Sequence, residues 1–245
     1  MVTVLKLGGS VVTEKDQPET VDEAALKAVV ETVIDRYEPG TFVVVHGGGS
    51  FGHHHAANHG YSKTEGTRDP RAVNDVHRAM TALNEAVVDT FQTRDVAAIP
   101  VSPLSVAHRE RDGRLVFPAE TLTTTLEEGF LPVVQADPIV HDGRGATILS
   151  GDDIVVSLAQ SLGSDRVGLC STVPGVLDDD GEIIDEIEAF ADVSDVLGGS
   201  ESTDVTGGMA AKVQRLLELD TPASIFDPDA LAEFLETGRA GTVVR

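Results

Sequence analysis

Short apolar runs alternate with amphipathic stretches along nearly all of the 245 residues. Met1–Leu7, Thr41–His46, Val96–Val101, Leu131–Gln135 and Val167–Cys170 are dense in aliphatic residues, the pattern of strands buried on both faces. Ala223–Phe226 and Thr242–Val244 read as closing strands with a short helix between them. Helical spacing fills the intervals. Ala25, Val29, Val30 and Val33 predict a helix over about Val21–Tyr37, ended by Pro39-Gly40. Val73, Val76, Met80, Leu83 and Val87 form one stripe of a long helix over Arg71–Arg94. Glu120–Glu128 reads as a third helix, and a fourth runs from the capping stretch Ser150-Gly151-Asp152-Asp153 to about Leu162. His54–Gly60 reads as a short helix or turn, Tyr61–Pro70 as a mobile loop, and Ile139–Leu149 as a hairpin. The alternation predicts an α/β fold, a three-layer αβα sandwich around a central, mostly parallel sheet. No linker cuts the chain, so residues 1–245 are expected to form one domain whose halves meet near Ala136–Ser150.

Two strands end in glycine. The first runs into Lys6-Leu7-Gly8-Gly9-Ser10 and the second into His46-Gly47-Gly48-Gly49-Ser50-Phe51-Gly52-His53. Glycine lets backbone amides approach a ligand, and a strand-to-helix turn converges those amides on an anion. Asp204-Val205-Thr206-Gly207-Gly208-Met209-Ala210-Ala211-Lys212 repeats the theme at a helix start, with a lysine one turn in. A tight turn that merely punctuates the chain is the competing reading. Gly47, Gly49 and Gly52 also spell G-x-G-x-x-G, but a dinucleotide site needs an acidic residue about 20 positions on, at the end of the next strand. Here that strand begins only near Val96, after a long helix.

Charge narrows the partners. The formal net charge is −23 and tryptophan is absent. Such a field repels nucleic acid and anionic membrane surfaces. The apolar fraction, 41%, is normal, which argues against disorder. Acid spread over the whole chain suggests a halophilic, cytoplasmic protein whose self-repulsion is screened by salt. No apolar run reaches membrane-spanning length, and no secretory signal is expected. Cys170 is alone and sits in a strand, where it is expected as core. Only five lysines remain, Lys6, Lys15, Lys27, Lys63 and Lys212, and three of them stand in glycine-rich or loop contexts suited to phosphate.

Phosphoryl transfer asks mainly for positioning and for cations around the moving group. Glycine-rich strand ends and nearby lysines supply both, with neither a P-loop signature nor a protein-kinase one. His53 stands where it can donate to a bound phosphate or phosphonate, although His53-His54-His55 also reads as a surface run. Consecutive histidines point in different directions on a helix, so a metal site is not expected there. Asp152 is either a functional carboxylate or only a helix cap. The Val73, Val76, Met80 stripe is either core or the wall of an apolar pocket. Asp178-Asp179-Asp180-Gly181 lacks alternating calcium ligands and reads as a hydrated turn.

In order along the chain, Lys6–Ser10, His46–His53, Ser150–Asp153 and Asp204–Lys212 resemble the motif set of the amino acid kinase family. Within that family the chain is similar to the branch that phosphorylates isopentenyl phosphate on an archaeal mevalonate route. Lys15 in Thr13-Glu14-Lys15, and His53 after Ser-Phe-Gly, match that branch and the related fosfomycin kinases. The resemblance implies ATP-dependent conversion of isopentenyl phosphate to isopentenyl diphosphate in an enzyme expected to be a homodimer. Lys6 and Lys212 would bracket the transferring phosphoryl, with Lys15 closing over it and Asp152 orienting the lysines. Gly48, Gly151 and His53 would hold the acceptor phosphate, and Val73, Val76 and Ile148 its apolar tail. Gly8, Gly9, Ser10, Gly49, Thr172 and Gly207 would join the lysines around ATP, with Mg²⁺ held mainly by the ATP phosphates. Residues 1–149 would then form the acceptor lobe and 150–245 the nucleotide lobe. The family often carries an acidic Thr-Asp-Val-Asp-Gly loop where this chain has Ser171-Thr172-Val173-Pro174-Gly175, so no nucleotide contact from those acids is expected.

Three rivals remain. One is a kinase of another small anion, such as fosfomycin or an acyl carboxylate. Another is a nucleotide-binding sensor without turnover, against which the three lysines argue, because a binder needs no charge at a transition state. The dinucleotide oxidoreductase comes last.

Overall fold

Aliphatic runs of four or five residues build the centre of the protein. The computed structural model describes residues 1–198 and 208–245. In chain order the strands are β1 (Thr3–Leu7), β2 (Phe42–His46), β3 (Ala98–Val101), β4 (His108–Arg109), β5 (Leu115–Val116) and β6 (Leu131–Gln135). They continue as β7 (Asp137–His141), β8 (Gly145–Leu149), β9 (Arg166–Cys170), β10 (Glu186–Ile187), β11 (Ala223–Phe226) and β12 (Thr242–Val244). The helices are α1 (Gly9–Val12), α2 (Glu23–Ile34), α3 (Gly49–His59), α4 (Pro70–Gln92) and α5 (Glu120–Glu127). After these come α6 (Gly151–Leu162), α7 (Ser194–Gly198), α8 (Gly208–Leu216) and α9 (Leu231–Thr237).

Eight strands form one sheet in the order β10-β12-β11-β9-β1-β2-β6-β3. All its pairings are parallel except β11 with β12, as the strand–helix alternation predicts. Side chains alternate across it with period two. Leu5, Leu7 and Val44 pack into the core under α2, α3, α4 and α9, whereas Val4, Val43 and Val45 pack into the opposite core with α5, α6 and α8. Lys6 shares the parity of Val4 and so belongs to the face covered by α6. That parity decides which carboxylates it can meet.

β1 lies between β2 and β9, with Leu7 level with His46 on one side and Cys170 on the other. The pairing runs on past the strands, since Gly47 N–H donates to Leu7 O at 3.0 Å and Gly8 N–H to Cys170 O at 2.8 Å. Three chain ends therefore leave the sheet together.

The structure corrects several boundaries. The second glycine run is not a loop followed by a helix at His54. Helix α3 already starts at Gly49, directly behind β2. A one-turn helix, α1, which the sequence did not signal, follows Gly8. Residues 61–70, expected as a mobile loop, are tied to β8 by reciprocal Thr67–Ala146 hydrogen bonds of 2.9 and 2.8 Å and by Ile148 N–H to Ser62 O at 3.0 Å. Tyr61 is buried there, its hydroxyl donating to Ala72 O. The expected hairpin is present as β7–β8 but belongs to a second sheet, in the order β5-β4-β7-β8. Positions 204–207 of the third glycine motif, Gly207 among them, lie outside the described residues. No helix among the described residues is long and apolar enough to cross a membrane.

Candidate active site

The ends of β1, β2 and β9 open into a cavity of about 220 Å³. Its floor is made by glycine because nothing larger fits. A Cβ on Gly9 would overlap the backbone of Gly49, and one on Gly47 would lie 2.8 Å from Gly9 N. The two strand-end turns thus touch backbone to backbone. Gly49 has φ +48°, and a Cβ there would collide with Thr13 and with Gly9 O at 2.8 Å. Gly49 packs behind the floor and does not line the cavity, whereas Gly8, Gly9, Ser10 and Gly48 do.

Charge enters from two directions. Lys6 reaches the cavity from β1, and Asp152 from the first turn of α6, which Ser150 caps by accepting from Asp153 N–H at 3.2 Å. Lys6 Nζ stands 2.7 Å from Asp152 Oδ1, and Lys212 Nζ of α8 stands 3.9 Å from Oδ2. Gly151 makes the first contact possible, because a Cβ there would lie 2.9 Å from Lys6 Cε. Burial would raise the Asp152 carboxyl, but the Lys6 and Lys212 ammoniums override it and hold it well below the usual carboxylate range. Asp152 is therefore an anion fixed between two cations and no proton acceptor near neutral pH.

The other walls mix one donor with hydrocarbon. His53 lines the cavity, while His54 is exposed and meets Asn58 on the surface, and His55 pairs with Glu19 at 2.7 Å. One histidine of the run faces inward, as helical spacing requires. Val76 and Met80 of α4 and Ile148 of β8 line the cavity too. Val73 does not. It is half-buried, and at 100° per residue it sits at the edge of the stripe, beyond Met80. Lys15 is exposed on the segment after α1 and lies outside the lining. Thr172 lines the cavity beside Ser171.

Several lining or adjoining residues escaped the sequence reading. Tyr61 and the buried Asp137 both reach the cavity. Asp137 accepts from His77 Nδ1 at 2.9 Å, from Ser102 Oγ at 3.0 Å and from Leu104 N–H at 3.0 Å. The His77 imidazole is raised in pKa, chiefly by that hydrogen bond. Next to Asp152, the buried Asp153 gathers Arg109 at 2.9 Å, Arg215 at 3.1 Å and Lys63 at 3.6 Å. Only Lys63 had left a trace in the sequence, as one of the few lysines.

Chemically, the cavity offers two lysines, one imidazole and glycine backbone together with aliphatic side chains. It suits an anion of phosphate type attached to a short hydrocarbon.

A model of the amino acid kinase family matches residues 1–220. The isopentenyl phosphate kinase of Haloferax volcanii is 60% identical over 244 residues, covering 100% of this chain and 98% of the relative. The isopentenyl phosphate kinase of Methanocaldococcus jannaschii is 32% identical over 230 residues, covering 88% of this chain and 86% of the relative. Among solved structures, the product complex of T. acidophilum isopentenyl phosphate kinase superposes with a TM-score of 0.80 at 25% identity over 100% of both chains. A family model over residues 1–220 and a relative matched along the whole chain lead to one statement: this chain belongs to the amino acid kinase family.

Proposed function

We infer that this protein is an isopentenyl phosphate kinase, transferring the γ-phosphoryl group of ATP to isopentenyl phosphate to give isopentenyl diphosphate and ADP. The observation that carries the reading is one cavity in which Lys6, Lys212 and His53 meet Val76, Met80 and Ile148. Full-length similarity to isopentenyl phosphate kinases supports it.

An oxygen of the acceptor phosphate attacks the γ-phosphorus as the bond to the bridging oxygen of ADP breaks. The acceptor needs no general base, because the second pKa of a phosphate monoester is about 6. Catalysis then reduces to alignment and charge. Lys6 and Lys212 flank the moving phosphoryl, and Asp152, ionised between them, sets their spacing. His53 donates to the acceptor phosphate, which Gly48 and Gly151 allow to come close. Gly8, Gly9, Ser10 and Thr172 face the nucleotide phosphates. Lys15 must move inward with its exposed segment to join them. Both carboxylates that line the cavity are already engaged, Asp152 by lysines and Asp137 by His77, Ser102 and Leu104, so Mg²⁺ would be held mainly by the ATP phosphates, where it would neutralise charge. Val76, Met80 and Ile148 take the five-carbon tail, at about 0.8 kcal/mol per buried CH₂.

The test is ADP release by the purified protein in molar salt, with isopentenyl phosphate, dimethylallyl phosphate, fosfomycin, acetylglutamate and UMP offered separately. Turnover with isopentenyl phosphate well above the last three is expected. Preference for fosfomycin or a carboxylate would keep the fold and reject the substrate.

A further inference from the structure

Gly47 and Gly48, the first glycines after β2, pair their peptide groups unevenly. Gly47 N–H donates to Leu7 O at 3.0 Å, and Gly48 O accepts from Phe51 N–H at 3.0 Å and from Gly52 N–H at 2.9 Å. The Gly47 carbonyl is met by a side chain, His46, whose Nδ1 lies 3.1 Å away. The Gly48 N–H has no acceptor among the described residues. Gly48 lines the cavity, so an N–H pointing there would meet an anion.

Its direction is set one residue earlier. A trans peptide carries C=O and N–H on opposite edges, so the Gly47 carbonyl and the Gly48 N–H point opposite ways. Glycine on both sides lets this peptide turn over at little steric cost, and a bond to the carbonyl fixes it. His46 is fully buried and does not line the cavity. Its ring draws the carbonyl towards the core and turns the Gly48 N–H the other way.

The second ring nitrogen lies 3.1 Å from Oδ1 of the buried Asn84 on α4. Burial pushes the imidazole pKa down, more than Gly47, Asn84 and Asp137 push it up, so the ring is neutral and has one N–H to give. For that proton to reach Gly47 O it must sit on Nδ1, which leaves Nε2 to accept. Asn84 Nδ2, which donates to Val133 O at 3.3 Å, becomes the donor to Nε2 when the amide turns end for end.

We propose that His46 is a positioning residue, which holds the Gly47 carbonyl and so directs the Gly48 N–H into the cavity as a donor to the acceptor phosphate. The proposal rests on the phosphoryl-transfer reading and adds to it a side chain that touches neither substrate.

Two substitutions separate this role from packing. Asparagine places its NH₂ where histidine has Nδ1, and glutamine reaches the position of Nε2. His46→Gln should raise KM for isopentenyl phosphate about 10-fold or more, the effect of one hydrogen bond to a charged group, and leave KM for ATP little changed. His46→Asn should recover most of that affinity, although glutamine fills the buried space better. Two further readouts use the wild type alone. Nitrogen NMR shifts of the His46 ring should show the proton on Nδ1, and the Gly48 amide proton should move downfield on addition of isopentenyl phosphate. A ring proton on Nε2, a Gly48 amide that ignores the substrate, or a loss in His46→Asn as large as in His46→Gln would each overturn the proposal. A wild type that neither binds nor turns over isopentenyl phosphate would remove the functional reading instead. The ring tautomer and a titration of the Gly48 amide with inorganic phosphate would then decide the direction of that N–H.

Discussion

Asp152 Oδ1 and Lys6 Nζ stand 2.7 Å apart, a helix start joined to the end of the central strand across the inner face of the sheet. Neither side chain has much solvent, with about a tenth of each exposed. Breaking such a pair by removing one member leaves a buried charge uncompensated.

The inward histidine gives the sharpest kinetic expectation. His53→Ala should retain ATP binding and lose turnover on the order of 10²-fold or more, the usual cost of one preorganised donor. His54→Ala and His55→Ala should stay near wild type, since the His55–Glu19 pair is a surface contact worth at most about 1 kcal/mol. Steady-state kinetics on the three variants decides it, and equal damage from all three would point to a shared structural role.

Chain-length selectivity should follow the cavity wall. Val76→Ala and Ile148→Ala are expected to raise activity on C10 monophosphates relative to C5, because extra carbons must find room or clash. Val73→Ala, at the edge of the stripe, should leave the ratio unchanged. The kcat/KM ratios for C5, C10 and C15 monophosphates test this, and a response to Val73 alone would place the tail elsewhere.

Much of the cavity's lining was legible because it draws on rare residues. Lys6, Lys212, Gly48 and His53 announce themselves in a chain with few lysines and glycine at strand ends. The onset of α3 was hidden by those same glycines, each about 1 kcal/mol worse than alanine inside a helix, which tertiary packing against Gly9 and Thr13 overrides. Val73 was misplaced because an i, i+3 pattern extends a stripe one step past its edge. Asp137 with His77, and Asp153 with Arg109, pair across segments distant in sequence, and no local periodicity reports such pairs. The second sheet was missed for a related reason, as two-residue strands carry no repeat to read.

Acid should act through Asp153. Burial would raise its carboxyl, but Lys63, Arg109 and Arg215 together depress it. A depressed carboxylate stabilises the fold fully above its unfolded pKa of about 3.9 and loses that contribution as pH falls through the folded value. The Tm difference between wild type and Asp153→Asn is therefore expected to be constant from pH 8 to about pH 5 and to shrink below about pH 4. A difference that grows on acidification would contradict the assignment.

Salt should matter for the whole molecule. With a net charge of −23, self-repulsion is damped only when the Debye length approaches about 3 Å, near 1 M. Circular dichroism and turnover are expected to decline together on dilution to 50 mM salt. Full retention of both would show that the acidic surface imposes no salt requirement.

The backbone seam between Gly9 and Gly49 has a consequence for how this protein can change over time. The seam is made of peptide groups packed on one another and demands glycine at both positions, whereas exposed positions elsewhere can trade lysine for acid without touching it. The same seam has no slack, since any replacement at Gly9 must push apart two strand ends. Freedom to vary at the surface and constancy of the glycine turns are thereby assigned to different atoms of one chain.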